Sequence, residues 1–143
     1  FKLKHVDLDA ASVFQDAREV KTKFGKTFTT FFFPVGPGVQ EIVVEWIRHL
    51  REVELWGGDD PLFPATRMVL DDFGQFSADG LLRKHWSNAD PVRAIFRAAF
   101  ERAGLPYFNP HSLRNTLVRL GEVHCKTPEA FKAWSQNLGH GKS

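Results

Sequence analysis

The sequence predicts a mainly helical α+β fold with a small antiparallel β-hairpin near the N-terminus packed on a helical bundle. A β-rich run around a glycine turn between residues 13 and 35 predicts the hairpin, and apolar residues at helical spacing predict the helices. The chain has 143 residues, 43% of them hydrophobic and 13% aromatic. That length and composition suit one globular domain, residues 1–143, with a core of its own.

The hairpin has three parts. Its first strand includes Val13-Phe14-Gln15, its polar turn covers residues 21–26, and its second strand covers residues 27–33. Gly25 provides the backbone freedom that the reversal needs, and Pro34 closes the second strand.

A first amphipathic helix is expected over residues 37–55, before the breaker sequence of residues 57–61. Its apolar positions recur at helical spacing and are Val39, Ile42, Val43, Trp46, Ile47, Leu50 and Val53. Residues 62–89 are rich in Gly, Asp, Ser and Pro, so this segment is expected to be mostly loop.

Three further helices have recognisable ends. The second covers residues 91–103, with Asp90 as the N-cap and an apolar face that includes Ile95. The third begins at Asn109-Pro110, buries a side that includes Leu113, and ends near residue 120, because an N-cap followed by proline is a typical helix start. The fourth begins in the same way at Thr127-Pro128 and ends before residue 139.

Charge and cysteine content narrow the class of protein. The net charge of +2 and the pI of about 8.8 are compatible with nucleic-acid binding but do not argue for it alone. The single cysteine, Cys125, excludes an internal disulfide framework, suits a reducing cytoplasm, and is expected to be a small buried hydrophobe. No apolar run approaches the roughly 18 residues of a membrane span, so a cytoplasmic protein without membrane contact is expected.

His111 and Arg114 are the first candidate site residues. They are three residues apart at the start of the third helix, so their side chains project from one face of its first turn. The positive end of the helix dipole and a guanidinium fork both favour a phosphate there. The alternative is a purely structural role, in which His111 caps the helix and Arg114 forms an ordinary surface ion pair.

A second motif, Leu138-Gly139-His140, follows the fourth helix. Together with the preceding Gln136-Asn137 and the passage of residues 110–117, it resembles the C-terminal catalytic domain of the tyrosine recombinases, the phage integrase family. Residues 3–8 are similar to the family's segment before its hairpin, and residues 21–34 resemble the hairpin that carries a lysine. The resemblance spans nearly the whole chain in the right order.

The resemblance implies cleavage and rejoining of double-stranded DNA without a metal or nucleotide cofactor. In the family a tyrosine attacks the scissile phosphate to give a 3′-phosphotyrosyl link, and two arginines hold the phosphate. Arg114 matches the second arginine, His111 the acid–base histidine, and His140 the second histidine. Family members usually act as tetramers on DNA, so self-association on DNA is expected.

The turn offers more than one candidate for the family's lysine, which protonates the departing 5′ oxygen. The pattern T-K-x-G selects Lys23, whereas the distance to Pro34 favours Lys26. We take Lys23 as catalytic and Lys26 as its rival and as a DNA contact. A solvated basic turn that touches phosphates nonspecifically is the alternative.

Two departures from the family pattern concern the ends of the chain. The family's first arginine should precede Phe1, and its tyrosine should follow Ser143. The single tyrosine, Tyr107, is in the wrong place and is assigned to packing or to a DNA-facing loop. The chain is therefore expected to be a partial catalytic domain that cannot cleave DNA by itself. Asn115, where the family often has a histidine, is a minor departure.

Arg83 and Lys84 are candidate contacts to the DNA backbone, while the neighbouring Trp86 is expected to fill core space. Two other functions compete with the recombinase. One is a non-catalytic DNA-binding or assembly module on the same scaffold, and a tyrosine shortly after Ser143 would argue against it. The other is a zinc site, disfavoured because its ligands lack paired spacing. Those ligands would be His111, His124, Cys125 and His140.

Overall fold

The computed structural model describes residues 1–22 and 25–139, arranged as two compact units. The first unit comprises Phe1–Phe28 and Pro34–Ser87, and the second comprises Thr29–Phe33 and the chain from Asn88 onward. The predicted α+β class is confirmed, with 43% helix and 21% strand among the described residues. Among the described residues, no helix has the length and apolar character needed to span a bilayer.

Three short strands form the first sheet, in the order β1-β2-β3. These are β1 (Val6–Asp7), β2 (Ser12–Gln15) and β3 (Phe28–Phe31), and β1 pairs antiparallel with β2. The two strands of the predicted hairpin are therefore confirmed, although the second is shorter than residues 27–33. The chain passes from the first unit to the second within β3.

Helix α1 (Pro37–Arg48) continues as a π-helical segment, His49–Val53, which confirms the predicted first helix. Its C-terminal half supplies Ile47 and Leu50 to a small core. The predicted apolar stripe is wrong at its ends, because Val39 and Ile42 are 48% and 66% exposed and Val53 is also exposed. The core covers only the later turns of α1. Its buried members are Leu3, Ile47, Leu50, Trp56 and Leu62.

The N-terminal segment lies along residues 58–62. The Lys4 N–H donates to the Gly58 carbonyl at 2.8 Å, and the Leu62 N–H donates to the Phe1 carbonyl at 3.0 Å. These backbone hydrogen bonds hold Leu3 in the core, where its exposed fraction is 0%. A Cβ added at Gly58 would lie 3.2 Å from the Lys4 Cβ, so the glycine permits this close approach.

The prediction that residues 62–89 are mostly loop is wrong. Strands β4 (Pro64–Leu70) and β5 (Phe76–His85) form an antiparallel hairpin in the first unit. Its turn is closed by Asp71, whose Oδ1 accepts from the backbone N–H groups of Phe73 and Gln75. Gly74 has φ of +73°, the left-handed conformation that such a turn requires. The apolar residues near the turn are exposed, among them Phe73, whose exposed fraction is 89%.

The second unit contains α2 (Asp90–Arg102), a 3₁₀ turn (Pro110–Ser112), α3 (Leu113–His124) and α4 (Pro128–Asn137). Two predicted N-caps are confirmed, because the side chains of Asn109 and Thr127 accept backbone N–H groups at 3.1 and 3.2 Å. The N-cap prediction for Asp90 is wrong. Ala89 occupies that position, and the Asp90 N–H is bound by the Asn88 side chain.

The predicted burial of apolar side chains on α3 is only partly correct, because Leu113 is 44% exposed. On α2, Ile95 of the predicted apolar face is 56% exposed. In this unit Leu138 and Gly121 are buried, and Gly121 of α3 lies against Trp134 of α4. Helical spacing identifies a stripe, but the neighbouring element decides how much of it is covered.

Candidate active site

The helix start that carries His111 is organised by Asn109. The Asn109 side chain accepts the Ser112 N–H at 3.1 Å, and the Ser112 hydroxyl donates to the Asn109 carbonyl at 2.6 Å. His111 is exposed and lies in the 3₁₀ turn that precedes α3. The alternative in which His111 caps the helix is therefore wrong, because Asn109 is the N-cap of the 3₁₀ turn and Ser112 is the N-cap of α3.

Arg114 is the second residue of α3 and is half-buried. Within residues 1–22 and 25–139, neither Arg114 nor His111 forms an ion pair or a side-chain hydrogen bond. The described structure thus gives no support to the alternative in which Arg114 forms an ordinary surface ion pair. Burying a charge without a partner costs free energy. A partly buried arginine that lacks a carboxylate partner is therefore stabilised when an anion binds to it.

Helices α3 and α4 are joined through Trp134. Its indole N–H donates to the Leu117 carbonyl at 2.8 Å, and its ring stacks on His124 with centroids 6.0 Å apart. Gly121 lies directly against the indole, where an added Cβ would be 2.7 Å from two ring atoms. This close approach explains why a glycine occupies the middle of α3 despite its low helix propensity.

Helix α4 also contacts the segment that continues β3. The Trp134 and Phe33 rings lie 4.9 Å apart, and the Asn137 side chain makes two hydrogen bonds to the backbone of Phe31. Leu138, which follows α4, is 9% exposed, and Gly139 ends the helix with φ of +77°. The position of the helix end, from which the L-G-H motif departs, is thereby fixed. His140 lies outside the described residues.

The lysine turn is described only in part, because Lys23 lies outside the described residues. Gly25 has φ of +61°, which confirms its predicted role in the reversal, and its N–H donates to the Thr22 carbonyl at 3.2 Å. Lys26 is exposed and belongs to the first unit. The Thr22 hydroxyl is buried without a hydrogen-bond partner in the described part of the chain.

Two carboxylates near this turn are held ionised by basic neighbours. The Arg18 guanidinium donates to both oxygens of Asp16, the shorter bond being 2.6 Å, and lowers the pKa of that carboxyl to about 2. His5 receives the Lys2 N–H on Nδ1, so its Nε2 donates to Glu19 at 3.1 Å. That hydrogen bond, followed by one from Lys4, lowers the pKa of Glu19.

The low pKa of Asp16 makes the folded state sensitive to acid. Its pKa is about 2 in the folded state and roughly 3.9 in an unfolded chain, so its contribution is complete above the unfolded value and is lost as pH falls towards 2. We expect the melting temperature to fall between pH 4 and pH 2, and Asp16→Asn to reduce that fall. Thermal melts of both proteins across this range test the expectation. An identical pH dependence in the two proteins would contradict it.

Arg83, a predicted DNA contact, interacts within the first unit. Its guanidinium donates to the Leu55 carbonyl at 3.2 Å, lies 5.8 Å from the centroid of Trp56, and is 3.9 Å from Asp60. Lys84 is exposed on β5 and keeps an accessible ammonium. These positions leave Lys84 the better placed of the two for a phosphate contact.

Trp86 and Tyr107, the two residues that the sequence assigns to packing, each contact an aromatic ring. Trp86 is half-buried and stacks on Phe63 at 5.9 Å. Tyr107 is 40% exposed, meets Phe100 edge to face, and lies under the Arg97 guanidinium at 5.4 Å.

The zinc alternative and the single cysteine can be assessed only in the described residues. There, no group of three His, Cys, Asp or Glu side chains is placed to hold a metal ion. His140, one of the four residues named for zinc, lies outside that part of the chain. Cys125 is half-buried rather than fully buried, because it lies at the C-terminal end of α3.

Sequence reasoning did not select Trp134, Asn137 or Gly121. The first two are three residues apart and therefore share a face of α4, and an isolated glycine within a helix often indicates close packing. Comparison with family models, curated proteins and solved structures found no match for this sequence. The functional assignment therefore depends on the residues themselves.

Proposed function

We propose that these residues are the DNA-binding catalytic core of a site-specific tyrosine recombinase, which cleaves and rejoins double-stranded DNA through a 3′-phosphotyrosyl intermediate. The observation that carries the proposal is that Arg114 is half-buried and has no carboxylate partner among the described residues. Arg114 lies in the first turn of α3, directly after the 3₁₀ turn that Asn109 caps, and His111 is three residues before it.

The chemistry of these two side chains suits phosphoryl transfer. A guanidinium donates two parallel hydrogen bonds to phosphate oxygens and stabilises the charge that develops on a pentacoordinate phosphorus. An imidazole nitrogen can donate or accept a proton, so His111 can serve the reacting oxygens as a general acid or base. His111 is exposed and therefore accessible to a duplex.

The remaining roles follow from the order of the motifs. His140 would donate a hydrogen bond to the same phosphate, and the turn lysine would protonate the 5′ oxygen that leaves. In this proposal a tyrosine other than Tyr107 is the nucleophile, and another arginine holds the phosphate together with Arg114. The reaction as proposed needs neither a metal nor a nucleotide cofactor, and the recombinase assembles on DNA as a multimer.

The charge distribution supports DNA as the partner. The second unit contains eight Lys and Arg residues against four Asp and Glu residues, so it carries a net charge of +4 while the whole chain carries +2. A locally basic surface attracts the phosphate backbone. The same observation favours the second candidate function, a DNA-binding or assembly module without catalysis.

A covalent-trapping experiment distinguishes the two functions. The full-length gene product that contains these residues is incubated with nicked duplexes that lose a short strand after cleavage. The recombinase proposal predicts a denaturation-resistant protein–DNA adduct attached through a tyrosine. Duplex binding without any adduct, on substrates that carry the protein's own target sequence, would support the non-catalytic module instead.

The two turn lysines are expected to differ in their effect on cleavage. In the same gene product, Lys23→Ala should slow cleavage by roughly 100-fold or more, because a general acid contributes about that much, whereas Lys26→Ala should mainly weaken binding. A 5′-thiolate leaving group needs no proton and should restore the rate of Lys23→Ala. Single-turnover cleavage of oxygen and sulfur substrates measures both effects. Rescue of Lys26→Ala alone would instead assign the acid to Lys26.

A further inference from the structure

The side-chain amide of Asn137 binds both backbone groups of one residue in β3. Its Oδ1 accepts the Phe31 N–H at 2.7 Å, and its Nδ2 donates to the Phe31 carbonyl at 2.9 Å. The two residues are 106 positions apart in the sequence. One planar group thus supplies the donor and the acceptor that a neighbouring strand would otherwise supply.

This pair of hydrogen bonds selects asparagine. An aspartate has no donor for the Phe31 carbonyl and would place a negative charge beside it, and alanine has neither group. Strand β3 is the last in the order β1-β2-β3, so its outer edge offers unpaired backbone groups. Asn137 satisfies two of them from the last turn of α4.

Trp134 and Asn137 act on the same face of α4 but on different neighbours. Trp134 fixes α4 against α3 through the Leu117 carbonyl, and Arg114 lies on the first turn of that helix. Asn137 fixes the end of α4 against β3. Both contacts are within the second unit, and together they determine where α4 ends relative to the helix that carries Arg114.

We propose that Asn137 is a positioning residue of the recombinase site. Its two hydrogen bonds to Phe31, called here the Asn137 clamp, fix the C-terminal end of α4, the helix that Trp134 joins to the helix carrying Arg114. This inference rests on the proposed function. Asn137 acts through the position of α4 and does not touch the phosphate itself, because its amide is already engaged with the Phe31 backbone.

Hydrogen exchange of the 143-residue chain directly tests the two hydrogen bonds between Asn137 and Phe31. Asn137→Ala should increase the exchange rate of the Phe31 amide about tenfold, because its acceptor is removed. Gln136→Ala is the matched control, since Gln136 is exposed and adjacent on the same helix. Unchanged exchange at Phe31 in Asn137→Ala would overturn the clamp.

Cleavage kinetics of the complete recombinase test the positioning role. Asn137→Ala and Asn137→Asp should lower the single-turnover cleavage rate by about 10-fold to 100-fold while the duplex Kd changes less than threefold. Thr127→Ala, which removes the N-cap of the same helix, controls for general weakening of α4. Equal slowing by Thr127→Ala and Asn137→Ala would show a merely structural role and overturn the proposal.

The outcomes for the two proposals are separable. An adduct formed by the wild-type protein, together with normal cleavage by Asn137→Ala, would overturn the positioning role and leave the recombinase function standing. No adduct from the wild-type protein on its own target sequence would overturn both, even if the exchange experiment confirmed the hydrogen bonds to Phe31.

Discussion

Arg114→Ala is expected to reduce strand cleavage by the complete recombinase about 1,000-fold or more. Removing one preorganised donor from a developing oxyanion costs about 100-fold to 1,000-fold, and a guanidinium supplies two donors and a charge. Duplex binding should weaken less than tenfold, because many other phosphate contacts remain. Single-turnover cleavage and equilibrium binding, measured on the same nicked duplex, test the two halves of this expectation.

Two further variants make the Arg114 experiment specific. Arg119→Ala removes an exposed arginine from the same helix, so it should leave cleavage within a fewfold of the wild-type rate. Arg114→Lys keeps the charge but loses the planar fork, so it should restore little of the activity. Wild-type cleavage by Arg114→Ala, or an equal loss in Arg119→Ala, would remove Arg114 from the proposed site.

Local signals in the sequence predicted the elements that frame the candidate site. The N-caps at Asn109 and Thr127 and the reversal at Gly25 were predictable because each is determined within a few residues. The placement of His111 and Arg114 at one helix start followed from the same local rules. Their proposed chemistry came from the family resemblance.

Elements that depend on distant partners were not predictable from the sequence. The β4–β5 hairpin was missed because its strands do not alternate cleanly, and many of its apolar residues face solvent. The sequence Asp71-Asp72-Phe73-Gly74 was the available turn signal. The Asn137 clamp joins residues 106 positions apart, and no local pattern in the chain specifies such a pair.

Trp134→Ala should lower the free energy of unfolding by about 3 kcal/mol, the lower end of the range for core aromatic truncations, because Trp134 is half-buried. The substitution removes ring contacts with Phe33 and His124 and the hydrogen bond to the Leu117 carbonyl. Phe131→Ala, on the same helix but 37% exposed, should cost distinctly less. Chemical denaturation of both variants measures the difference, and equal losses would contradict the central role of Trp134.

Gly121 provides a stricter test of the same contact. Gly121→Ala alone should destabilise the protein by about 1–3 kcal/mol, because the new Cβ would lie 2.7 Å from the Trp134 ring. In a Trp134→Ala background the ring is gone, so the same substitution should become neutral or stabilising through the higher helix propensity of alanine. The two effects must therefore be non-additive, as expected for residues in contact. An additive cycle would show that Trp134 does not lie against Gly121, and the link between α3 and α4 would then have to depend on other contacts.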